Sequence, residues 1–97
     1  MRFKVHHIDE ELAGPGYRHD LFEFEAGGFL LVARSYLSSP GEAHFLRKEI
    51  GGELLPLEMR DVESDSFREA VSHLRALGKI ELTYLSPEVG GYVAVAE

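Results

Sequence analysis

Polar and apolar residues alternate along several parts of this chain. Between Leu21 and Ala26, Glu23 and Glu25 separate Phe22, Phe24 and Ala26. That period of two marks a strand with one dry face. Gly27-Gly28 follows, and two glycines accept the positive φ angles of a tight hairpin turn. Phe29 to Ala33 is then an unbroken apolar run before Arg34, Ser35 and Tyr36. It suits a central strand with cover on both faces and is far too short to span a bilayer. A turn centred on Gly27-Gly28 sets Ala26 against Phe29, Phe24 against Leu31 and Phe22 against Ala33, all on one face. A slip of one residue would turn one dry side outward, so the register is specified.

Residues 2–8 alternate Phe3, Val5 and His7 with Arg2, Lys4 and His6, which predicts a first strand. Gly14-Pro15-Gly16 predicts a loop before the hairpin of residues 17–38. Ser39-Pro40-Gly41-Glu42 fits either a type II turn or a helix capping box. Glycine is costly in a first helical turn. The turn is therefore preferred, with a strand after it and a helix over 42–50 as the alternative. Centred on Pro40-Gly41, the turn sets Tyr36 against Phe45, Ser35 against Leu46, Arg34 against Arg47 and Leu31 against Ile50. Across Gly51-Gly52, Leu46 then meets Leu57. One face collects Phe22, Phe24, Phe29, Leu31, Leu37, Leu46, Ile50, Leu55 and Leu57, and the other Glu23, Glu25, Arg34, Arg47 and Glu49.

Helical spacing appears once. Phe67, Ala70, Val71, Leu74 and Leu77 form a stripe, with Ser66 and Glu69 as a capping box and Gly78 as the stop. This predicts a helix over 66–77. Residues 80–85 and 92–96 read as strands around a turn at Pro87 to Gly91. The expectation is a single α+β domain over 1–97. It has a mostly antiparallel sheet, a meander of about four strands plus a C-terminal hairpin, and one helix packed on it. A small bent barrel with the helix inserted is the alternative.

Composition narrows the function classes. A length of 97 residues fits one domain. The absence of cysteine excludes disulfides and thiolate metal sites. With 17 acidic and 10 basic residues the net charge is −7. The only adjacent basic pair is Arg47-Lys48, so a nucleic-acid partner is not expected. Met1 to Glu10 holds no apolar leader segment. The expected location is the cytoplasm, with no membrane association and no cofactor.

No phosphate-loop, dinucleotide, zincin or nucleophile-elbow motif is present. The histidines are His6, His7, His19, His44 and His73. Neighbours on a strand point to opposite faces, so His6 and His7 cannot share a metal in regular geometry, and no metal site is assigned. His19-Asp20 and Ser35, Ser38 and Ser39 do not complete a catalytic set of nucleophile, base and stabiliser, so the sequence does not point to an enzyme. Two candidate surfaces remain. Arg34, Arg47 and Tyr36 would share the outer face and could hold a carboxylate or phosphate, although Glu23 and Glu49 could equally pair with them. Tyr92, Val93 and Val95 lie in a strand without charge before Glu97; this strand, or the first one, suits an interface with a second copy or another protein. A protein-interaction or homo-oligomeric assembly module is the leading expectation, and an anion-binding domain the alternative.

Overall fold

The computed structural model describes residues 1–9 and 18–95. The predicted Gly14-Pro15-Gly16 loop and Ala96, the last residue of the predicted C-terminal strand, lie outside them. The hairpin is the anchor of the fold. Strand β2 (His19–Ala26) and strand β3 (Phe29–Tyr36) pair antiparallel, with Ala26 opposite Phe29, Phe24 opposite Leu31 and Phe22 opposite Ala33. Gly27 and Gly28 take φ of 58° and 81°, which a side chain would oppose. Strand β1 (Arg2–Ile8) pairs antiparallel with β2, setting Phe3 beside Phe24. Strand β4 (Glu42–Ile50) pairs antiparallel with β3. Residues 42–50 are therefore strand, not helix.

The register between β3 and β4 corrects the sequence reading. Ala33, not Tyr36, faces Phe45; Leu31 faces Lys48, and Phe29 faces Ile50. The connection is longer than a two-residue turn. Residues 37–41 lie between the strands, and Ser39 N donates to Tyr36 O and Glu42 N to Ser39 O. A β-bulge between Val32 and Ala33 shifts the ladder again and leaves Leu46 without a partner on β3. Phe45 therefore enters the core. Arg34 faces His44, and Arg47 faces Val32.

The four-strand meander with a separate hairpin is also corrected. Strand β5 (Glu53–Leu55) has the predicted register with β4, pairing Lys48 with Leu55, but it is three residues long. Pro56 follows and cannot donate to a ladder. Leu57 is therefore off the ladder, though buried. The first half of β4 keeps a free edge. The chain crosses the sheet through helix α1 (Met59–Val62) and helix α2 (Asp65–Ala76). Strand β6 (Glu81–Ser86) then pairs parallel with residues 42–45, and strand β7 (Gly91–Ala94) pairs antiparallel with β6. The result is one open, mixed sheet of seven strands, in the order β1-β2-β3-β4-β6-β7 with β5 beside β4. It is an α+β fold and is not closed into a barrel.

Helix α2 begins one residue before its predicted start. Its cap is Ser64 rather than Ser66, with the Ser64 hydroxyl accepting from Phe67 N at 3.2 Å. Phe67, Ala70 and Leu74 are its buried residues. Phe67 packs on Phe45 at 4.4 Å between ring centroids, and Phe45 in turn lies 6.4 Å from Phe24. Burying each such ring contributes about 2–3 kcal/mol. Both Leu37 and Ile50, expected on the dry face, are exposed beside turns. Lys48 takes a place on that face instead. No helix among the described residues is long and apolar enough to cross a membrane.

Candidate functional site

Alternation along the strands sorts the sheet into two faces. The helices cover the face that carries Phe24, Leu31, Phe45 and Tyr84. The opposite face carries Arg34 on β3. Its cross-strand neighbours are Leu21 on β2 and His44 on β4. The Arg34 guanidinium lies 4.8 Å from the centre of the Tyr36 ring, whose other neighbour is His19 at 5.7 Å. One terminal nitrogen of Arg34 donates to the Tyr92 hydroxyl of β7 at 3.3 Å. His44 Nδ1 lies 2.5 Å from Thr83 Oγ1 on β6, and its ring is 5.1 Å from that of Tyr92. Five strands, β2, β3, β4, β6 and β7, thus build this cluster.

Arg47 shares the face but does not oppose Arg34. Its Nε donates to Glu49 at 3.3 Å. The sequence-derived trio of Arg34, Arg47 and Tyr36 is therefore divided: the first and last are stacked, whereas Arg47 is occupied by its own carboxylate. Arg34 pairs with no carboxylate among the described residues, and its Nε is sealed from solvent with no hydrogen-bond acceptor. The contributions of Thr83 and Tyr92 were not visible in the sequence. Nothing local encodes the parallel pairing of β6 with β4 that brings them here.

The second candidate surface is the edge of the sheet. β7 pairs with β6 on one side only, as the last strand in the order. Val95 N donates to Leu82 O. By antiparallel alternation, Val93 and Val95 turn their backbone groups toward β6, and Tyr92 and Ala94 turn theirs to the open side. The side chains divide the same way. Val93 and Val95 pack against the core, whereas Tyr92 is 47% exposed on the outer face. Of the three residues named for an interface, only Tyr92 presents both side chain and backbone. Beside this edge runs a groove of about 640 Å³ between the helices and β6–β7, floored by Val62, Phe67, Val71, Tyr84 and Val95. Met59 on its wall is 47% exposed.

The histidines lie apart. His6 bonds Glu23 on the outer face, and His7 Nδ1 lies 2.5 Å from Asp20 on the other. His73 stacks on Phe3 at 4.0 Å. No three His, Asp or Glu side chains converge among the described residues.

A buried ion pair fixes the helical side. Lys48 is 5% exposed, and its ammonium donates to Asp61 of α1 at 2.7 Å and to Glu58 at 3.3 Å. Asp61 also accepts from Glu58 N at 2.8 Å. The hydrogen bond to Asp61 holds the Lys48 pKa above the usual lysine range, against the opposing effect of burial. Lys48 and then Arg60 hold Glu58 below the usual carboxylate range. A lysine so held stays protonated, which suits a strut and not a nucleophile. Comparison of the chain with known protein families, curated proteins and solved structures finds no match.

Proposed function

We propose that this protein is an interaction module that associates with a second copy of itself through β7. The observation that carries the reading is the contrast between the two ends of the sheet. The β1 edge holds Arg2 and Lys4, the kind of charge that blocks strand addition. The β7 edge is Gly-Tyr-Val-Ala and holds none. Antiparallel pairing of β7 with a second β7 sets no like charges against each other. A four-residue ladder alone is a small contact, and stable interfaces bury roughly 800 Å² on each partner. The adjoining groove, in which Val62, Phe67, Val71 and Val95 lie among Glu63, Arg68 and Arg75, and Met59 supply further area beside the same edge.

Ala94→Pro tests the reading. Proline removes one outward N–H, and an edge position facing away from the ladder is where a sheet tolerates it. The expected result is a native mass of two chains for the unchanged protein by light scattering, and of one chain for the folded variant. A monomer at all concentrations for the unchanged protein rejects the reading.

A further inference from the structure

We infer that the outer face holds a second site, centred on Arg34, that takes a small monocarboxylate ligand. The inference does not rest on association through β7. A chain with 17 acidic residues pairs none of the described ones with this arginine. Arg34 Nε is the only buried side-chain nitrogen or oxygen among the described residues without a hydrogen-bond partner. An unneutralised guanidinium, partly withdrawn from water, attracts an external anion more strongly than one in bulk solvent. The Tyr36 ring lies against it, 4.8 Å from ring centre to guanidinium carbon, and supports it by a cation–π contact. Tyr92 accepts from Arg34, which leaves the hydroxyl proton free to donate to an incoming oxygen. His44 packs on the Tyr92 ring and is tied to Thr83, so that hydroxyl is held in place.

Charge selects the ligand class. Among the described residues the site offers one permanent positive charge, since Glu49 occupies Arg47, and the Glu42 carboxylate lies 3.9 Å from His44 Nε2. The protein around it carries a net charge of −7. A monoanion is balanced there and a phosphate dianion is not. A guanidinium edge with an adjacent hydroxyl matches the two oxygens of a carboxylate. Tyr36 and Tyr92 set two aromatic rings beside the guanidinium, which favours benzoate over acetate as a probe.

The test is calorimetric titration with benzoate, acetate and inorganic phosphate, at ionic strength matched with sodium chloride. Saturable benzoate binding, tighter than that of the other two, is expected. Arg34→Gln should weaken it by about tenfold or more, and Tyr92→Phe by several-fold, because each removes a donor to a charged group. Arg47→Gln should leave it unchanged. If Arg34→Gln does not fold, Arg34→Lys keeps the charge, loses the fork and should show the same direction of loss. Absence of benzoate binding, phosphate binding tighter than benzoate, or equal affinity in the Arg34 variants would overturn the inference. Repeating the titration on Ala94→Pro separates it from association: the site should bind in the monomer too.

Discussion

Lys48 and Asp61 join the apolar face of the sheet to the first helix through a contact of 2.7 Å. The pair sits where the sheet would otherwise present a hydrophobic residue, opposite Leu31. Replacing Lys48 with methionine leaves Asp61 largely buried without its cation. The expected cost is about 3 kcal/mol, as for other broken buried pairs. Asp61→Asn should cost less, because the amide oxygen still accepts from Glu58 N. Urea denaturation of both single variants and the double variant measures this, with a coupling energy of about 1 kcal/mol or more expected.

The same cluster sets a pH dependence. The Lys48 pKa is raised in the folded chain, mainly by the hydrogen bond to Asp61. Its stabilisation is complete below the unfolded lysine pKa and is lost as pH rises through the folded one. The Glu58 pKa is lowered, first by Lys48 and then by Arg60. Its stabilisation is present above the unfolded carboxylate pKa and is lost as pH falls through the folded one. The stability difference between the unchanged protein and Lys48→Met should be greatest between about pH 5 and pH 10 and shrink on either side. Thermal melts at acid, neutral and alkaline pH check both signs.

The hairpin was legible in the sequence and the longer connections were not, for a definite reason. Gly27-Gly28 permits one two-residue turn, so Phe24 opposite Leu31 followed at once. Pro40-Gly41 looked like an equally tight turn, but the chain spends residues 37–41 there and adds a bulge at Leu46. Each such residue changes every partner that follows. The result moved Phe45 into the core and separated Arg34 from Arg47. Lys48 did not read as buried because Asp61 lies in a helix too short to show a period. Arg34 over Tyr36 was readable from strand alternation alone. Tyr92 joining them was not, because the crossover that delivers β6 and β7 leaves no local pattern.

Ser35 shows how the misread connection is held. Its buried hydroxyl donates to Glu42 O at 2.6 Å, just beyond the last paired residues of β3 and β4. Ser35→Ala should cost about 1 kcal/mol. It should also speed amide exchange in residues 37–41, measured by hydrogen exchange.

Side-chain orientation in β7 separates folding from association. Val93→Lys places a charge against the core and should destabilise the subunit by about 2 kcal/mol or more. Ala94→Pro should alter native mass with little change in the unfolding of the subunit itself. Guanidinium denaturation at low protein concentration distinguishes the two.

Self-association of a chain carrying −7 is opposed by its own charge. Moderate salt should therefore tighten the dimer, by screening repulsion between the two copies. Sedimentation equilibrium at two ionic strengths reads this. Weakening with salt would point instead to a contact built on opposite charges.

The most direct measurement of association through β7 is amide hydrogen exchange within the strand as a function of protein concentration. Val93 and Val95 pair with β6 and serve as internal controls. The expected result is that Tyr92 and Ala94 exchange rapidly in dilute solution and become protected as concentration rises, while the two valines change little. Rapid exchange at Tyr92 and Ala94 at every concentration would show that the edge stays open, and would contradict strand pairing between copies.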